Sequence, residues 1–157
     1  MSRKYESTEK YLKPDPQFSS RLVSKFINNL MWDGKKTTAQ KVFYDALDMI
    51  KVRVPDEEPL EVFLTALNNV KPLIEVRSKR VGGATLQVPH EIRKARQQAL
   101  AIRWIITAAR KKKGRPMARR LADELHDGYN KQGASFTVRE NTHKMAEANK
   151  AYAHFAW

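Results

Sequence analysis

Cysteine is absent from the 157 residues. That removes disulfides and thiolate metal ligands, and agrees with a reducing cytoplasm. Long apolar runs are absent as well. The N-terminal MSRKYESTEKYLKPDP has no hydrophobic stretch of the signal-peptide kind, and no segment approaches the length of a bilayer span, so a soluble, intracellular protein is expected. The histidines, His90, His126, His143 and His154, show no HExxH spacing and no tight carboxylate cluster. Each reads as a surface or packing residue, and neither metal nor cofactor is expected. No serine sits in a Gly-x-Ser-x-Gly elbow, which leaves nucleophilic catalysis without a candidate. MWDGKKT contains Gly-Lys, but a P-loop needs an earlier glycine and a hydroxyl residue directly after the lysine, where this chain has Asn29 and Lys36. The chain is not expected to be an enzyme.

Negative charge is scarce in one third of the chain. Thirty lysines and arginines against seventeen acids give a formal charge of +13. Residues 71–120 hold fifteen of those cations and only Glu75 and Glu91, so that third carries the whole excess and the remainder sums to zero. A surface tuned for solubility alone mixes the signs throughout. Segregation of this kind marks a candidate surface for a polyanion.

Apolar spacing organises the chain as helices. Residues 1–17, low in apolar content and carrying Pro14 and Pro16, read as an extended N-terminal arm. From Ser19 or Ser20, a suitable N-cap, Leu22/Val23, Phe26/Ile27 and Leu30/Met31 recur at helical period until Asp33-Gly34, with Gly34 as the expected C-cap. A second helix is predicted after Thr37 or Thr38, with Ile50 its last apolar position and its end before VPDEEP, and a third from Pro59, suited to a first helical position, to Val70 before Pro72. After Pro89 a fourth helix places Ala95, Ala99, Ile102, Ile106 and Ala109 on one stripe, with Arg96, Arg103 and Arg110 beside it at intervals of seven. KKKGRP ends it, a fifth helix follows Pro116, and the capping-box spacing of Thr137 and Glu140 predicts a last helix from there toward Ala148. The expected fold is mainly α: a single-domain bundle of about six helices over residues 1–157, with a C-terminal tail at 149–157.

One β-hairpin arm, residues 73–89, is predicted to protrude between the third and fourth helices. With a two-residue Gly82-Gly83 turn, Val81 pairs with Ala84, Lys79 with Leu86 and Arg77 with Val88; a four-residue loop over Val81–Ala84 is the other register. Either face then mixes apolar residues with cations, so neither could be buried without stranding charge, and a polyanion lying against the arm would satisfy both. Lys35 and Lys36, where the second helix starts, oppose its dipole unless an anion sits nearby. Tyr152, Phe155 and Trp157 crowd the C-terminus and are expected to dock on the protein's own core, while Trp32 and Trp104 stay open between packing and base stacking. An architectural DNA-binding protein with a basic β-arm explains the charge pattern as well as an RNA-binding one. An RNA-processing enzyme would need an acid-base or metal constellation that the chain lacks.

INNLMWDGKKTTAQKVFYDAL, VKPLIEVRSKRVGGATLQVP, ALAIRWIITAARKK and HKMAEANKAYAHFAW together resemble the bacterial small-subunit ribosomal protein seven family, from about Pro14 to Trp157. The resemblance implies a structural constituent of the small subunit that binds the lower three-prime major domain of its ribosomal RNA and organises assembly of the head. It further implies a place beside exit-site tRNA and the messenger path, next to ribosomal protein eleven and other head proteins, in the cytoplasm. By motif, it implies RNA contacts for Lys35 and Lys36 and for Arg93, Lys94, Arg96, Arg103, Arg110, Lys111, Lys112, Lys113, Arg115 and Arg119. The arm's Arg77, Lys79 and Arg80 join them, as do Arg3, Lys4 and Lys10 near the N-terminus. The tip, Val81, Gly82, Gly83 and Ala84, would point toward the tRNA exit site.

Overall fold

The structure, a computed structural model, describes residues 8–155. Arg3, Lys4 and Trp157, named above, lie outside the described residues. A short 3₁₀ turn at Thr8–Tyr11 leads to α1 (Arg21–Leu30), α2 (Lys36–Arg53) and α3 (Pro59–Val70). Strands β1 (Ile74–Val81) and β2 (Ala84–Glu91) follow, then α4 (Lys94–Lys111), α5 (Met117–Tyr129), α6 (Gly133–Ala148) and a 3₁₀ segment at Lys150–Phe155. The mainly α bundle with one hairpin between the third and fourth helices is therefore present as expected. Within the stretch expected to be an extended arm, Asp15 is buried, accepting hydrogen bonds from the Gln17 and Phe18 amides and, at 2.8 Å, from the Tyr44 hydroxyl.

The core follows from the periodicity. Phe26 of α1, Phe43 of α2 and Phe63 of α3 meet with ring centroids 5.2–5.4 Å apart, two of the three pairs edge to face, the geometry that aromatic quadrupoles prefer. Leu67, Ile102, Ile105, Leu121 and Leu125 complete this cluster from α3, α4 and α5. The buried face of α4 is broader than the predicted stripe. It runs from Leu100 to Ala109 and includes Ala101, Ile105 and Ala108, while Ala95 is exposed. The reason is that α4 is central, packing on α1, α3, α5 and α6, so more than one of its faces is covered.

Helix boundaries differ from expectation at three ends. Ser20 caps α1, its hydroxyl accepting the Val23 amide, but α1 ends at Leu30 with Met31 as C-cap. Gly34 therefore serves the following turn, where Asp33 and Gly34 take φ of 51° and 71°. Helix α2 begins at Lys36 rather than after Thr37. Helix α6 begins at Gly133, four residues before Thr137, whose hydroxyl donates to the Gly133 carbonyl from inside the helix. Its N-terminus is capped by another helix: the Glu124 carboxylate of α5 accepts the Ser135 amide at 2.8 Å and the Ser135 hydroxyl at 2.7 Å. Gly133 makes this entry possible, since it sits at φ 88° and a Cβ there would lie 2.8 Å from the Asp127 Cβ.

Helix α6 also anchors the arm. The Leu73 amide, just before β1, donates to His143 Nε2 at 3.1 Å, which requires a neutral ring. Burial, and secondarily the Arg139 charge, hold His143 below its ordinary 6.5. A histidine with a depressed folded pKa contributes stability that is complete above the unfolded value and lost as pH falls through the folded one. Stability to urea should accordingly drop between pH 7.5 and 5.5, and His143→Gln, which keeps an acceptor without titrating, should flatten that drop; an unchanged slope would dissociate the bond from stability.

Candidate nucleic-acid interface

The hairpin register is the two-residue one, with Val81 opposite Ala84, Lys79 opposite Leu86 and Arg77 opposite Val88. Gly82 and Gly83 both take positive φ, 55° and 91°, as the tight primed turn demands. The strands run on to Glu91, two residues past the expected end. One expectation for the arm fails. Val88 is only 1% exposed and Lys79 and Leu86 are half-buried, so the face they share is covered by the protein itself. The C-terminal 3₁₀ segment lies against β2, with the Phe155 carbonyl accepting the Lys79 ammonium at 2.8 Å, and α6 packs on both strands. Cation burial is tolerated because that ammonium keeps an acceptor and part of its exposure.

At the base of the arm Glu75 receives Arg77 at 2.7 Å and Arg96 at 3.3 Å. Burial pushes the Glu75 carboxyl up, but the Arg77 hydrogen bond and the charges of Arg96 and Arg77 outweigh it and hold the group below the usual carboxylate range. The Arg96 bridge ties the first turn of α4 to β1, and Arg77 pairs with Glu75 within the strand. From there α4 extends eighteen residues, about 27 Å at 1.5 Å per residue. Arg93, Lys94, Arg96, Arg103, Arg110 and Lys111 are all exposed along it.

Its far end meets a groove of about 430 Å³. Leu30, Ala39, Val42 and Met117 form apolar walls, and Lys35, Arg110 and Arg120 supply cations. Trp32, 67% exposed, lies under the Arg110 guanidinium at 5.0 Å from ring centroid to Cζ. Both arginines are positioned by neutral acceptors. Arg110 donates to the Leu30 carbonyl at 3.2 Å, and Arg120 donates to the Lys112 carbonyl at 2.6 Å. Their charge is thereby fixed in place without being cancelled.

Helix starts repeat the pattern. Helices α2, α4 and α5 have no acid in the first turn and no side-chain cap, and begin with Lys35-Lys36, Arg93-Lys94 and, inside the first turn of α5, Arg119 and Arg120. Elsewhere a cap or an acid is present: Ser20 caps α1, Glu61 stands in the first turn of α3 and Glu124 caps α6. Amides and cations left open together at these three starts are an arrangement that suits an anion. Two of them, α2 and α5, open on the same groove.

Not every cation named from the sequence belongs to this surface. Lys112 reaches inward, 2.9 Å from the wholly buried Glu124 and 3.2 Å from Asp127. Burial alone would lower its pKa, yet the hydrogen bonds and charges of Glu124 and Asp127 raise it above the ordinary lysine value. Arg115 bridges to Asp123 at 3.1 Å. By contrast Lys35, Lys36, Arg80, Arg93, Lys94, Arg103, Lys111, Lys113 and Arg119 are exposed and have no carboxylate partner among the described residues. Lys10 is exposed beside Tyr11. Arg120 and Trp32 were not among the RNA-contact residues named from the sequence. Arg120 carries no motif signal, and Trp32 became interpretable only beside Arg110, seventy-eight positions away in the chain.

Comparison with known proteins decides the frame. Residues 2–150 match the family described as ribosomal protein S7p/S5e. The chain belongs to the S7p/S5e family. Small ribosomal subunit protein uS7 of Rhodopirellula baltica is 66% identical over 152 residues, covering 96% of this chain and 97% of the relative. The uS7 of Nitratiruptor sp. is 58% identical over 144 residues, 92% of each chain, and that of Thermotoga maritima 52% over 155 residues, 99% of each. S7p/S5e proteins are ribosomal proteins and not enzymes. Among the described residues no helix is long and apolar enough to cross a membrane, and no three ligating side chains are grouped for a metal.

Proposed function

We propose that the chain is a structural constituent of the small ribosomal subunit, ribosome-bound in the cytoplasm, that holds the lower three-prime major domain of the ribosomal RNA and organises assembly of the subunit head. In this reading the arm tip reaches toward exit-site tRNA and the messenger path, and ribosomal protein eleven is a neighbour. The observation that carries the RNA contact is the set of three open, cationic helix starts distributed along α4 and its groove. A-form RNA hides its major-groove edges, leaving phosphates, ribose hydroxyls and splayed loop bases as handles. The helix starts and the α4 arginines suit phosphates, and the Trp32 groove has the size and lining for one splayed base. Recognition is then by the shape of a folded junction more than by base code.

The architectural DNA reading rests on the same charges and has no support from the family. Binding of the purified protein to an isolated three-prime major-domain fragment, against bent duplex DNA and unrelated structured RNA across a salt series, separates the two. The fragment should be retained selectively as salt rises, and deletion of residues 76–88 should weaken that retention. Equal, steeply salt-sensitive loss of all three ligands would leave only generic charge attraction.

A further inference from the structure

We propose that Asp33, in the exposed turn that leads into α2, is a site of spontaneous isomerisation to isoaspartate. The reaction needs only the chain and water. The Gly34 amide nitrogen attacks the Asp33 Cγ, the amide proton and the hydroxyl of the protonated carboxyl leave as water, and a five-membered imide forms. Water then adds to one of the two imide carbonyls. Opening at Cγ restores aspartate, and opening at the main-chain carbonyl gives the β-linked isomer. Mass is unchanged, while the main chain gains a carbon immediately before Lys35 and Lys36.

Two Asp-Gly pairs occur in the chain, Asp33-Gly34 and Asp127-Gly128, and the fold treats them oppositely. A glycine in second place removes the side chain that would hinder the attack. At the first pair both residues are exposed, and a Cβ on Gly34 would meet nothing within 4 Å. The turn is closed by the Lys35 amide on the Trp32 carbonyl at 2.9 Å, with Asp33 and Gly34 at φ of 51° and 71°, the signs of a type I′ turn. Type II′ keeps the positive φ at the first central residue and differs by a flip of the central peptide, which takes ψ there to about −120°. That rotation swings the Gly34 nitrogen toward the Asp33 carboxyl, as closure of the imide requires. Asp33 already holds the positive φ that a non-glycine residue adopts reluctantly, and Gly34 accepts either sign. The flip also breaks no hydrogen bond: among the described residues the Gly34 amide and the Asp33 carbonyl make none, and the Asp33 carboxylate has no ion pair. Asp127-Gly128 lies inside α5, where Gly128 is buried against Ala66 and Lys112 holds the Asp127 carboxylate at 3.2 Å. Ring closure there requires the end of the helix to open first.

Incubating the purified full-length protein at neutral pH for several weeks tests the site. Methyl transfer by an isoaspartyl methyltransferase counts the isomer, and fragmentation of the tryptic peptides 26–35 and 121–131 places it. Isoaspartate should form at Asp33 at least about tenfold faster than at Asp127, because the helix must open before Asp127 reacts. In denaturant, where no fold separates the two pairs, the rates should converge. Asp33→Glu, whose imide would be a slowly closing six-membered ring, should remove most of the methyl-accepting signal and leave Tm unchanged. Asp33→Asn, which expels ammonia in place of water, should raise the signal. No isoaspartate at Asp33, equal rates at the two pairs in the folded protein, or a signal that survives Asp33→Glu overturns the site. A difference between the pairs that persists undiminished in denaturant overturns the role of the turn.

Discussion

Glu124→Ala should destabilise the fold by about 3 kcal/mol, the lower end of the cost of removing one partner from a buried ion pair. For a chain of this size that corresponds to a fall of roughly 10 °C in Tm. The carboxylate is 0% exposed and serves three elements: it caps α6 through Ser135, pairs with Lys112 at the end of α4, and belongs to α5. Its loss leaves the Ser135 amide and hydroxyl without their acceptor inside the protein, where neither can turn to water. The lower end applies because the Lys112 side chain is 32% exposed and its ammonium can rehydrate. Glu124→Gln, which keeps an acceptor for Ser135, should recover part of the loss. Thermal unfolding of the three proteins measures the split; equal Tm values for the wild type and Glu124→Ala would remove the carboxylate from any role in joining the helices.

Replacing Arg93, Lys94 and Arg103 together by glutamine should weaken binding to the ribosomal RNA fragment roughly a hundredfold near 0.15 M salt, and flatten the salt slope by about two to three units, through lost counterion release alone. All three are exposed and have no carboxylate partner among the described residues, so the substitutions remove charge without opening the fold. Lys112→Gln is the contrasting case. Its ammonium neutralises Glu124 and Asp127, so it should lower Tm and leave the salt slope nearly unchanged. Titrations at several salt concentrations decide between the two classes of cation. A similar slope change for Lys112→Gln and the triple variant would mean that internal pairing does not sort these residues.

How far the fold could be read in advance follows from which forces are local. Ser20, Pro59 and the apolar spacing around Phe26, Phe43 and Phe63, each in its own helix, act within a turn or two, and the helices they predict are present. Gly82-Gly83 set the turn because a type I′ two-residue hairpin needs positive φ at both positions. The start of α6 was misplaced for the complementary reason. Thr137 and Glu140 have the local spacing of a capping box, but Glu124, from the preceding helix, offers the Ser135 amide a buried carboxylate, and that stronger acceptor sets the boundary.

The candidate site divides in the same way. Sequence alone determined that the positive excess is confined to residues 71–120, that none of the catalytic motifs sought is spelled out, and which motifs carry the family resemblance. Composition and short spacing suffice for these, since a charge or a missing residue type needs no neighbours to be counted. Only the tertiary structure decided which cations remain available: Lys112 spent on Glu124, Arg115 on Asp123, Lys79 under the C-terminal segment, and Arg110 brought over Trp32. The physical reason is that a charge acts on whatever lies within a few ångströms of it, and packing, not chain order, chooses those neighbours.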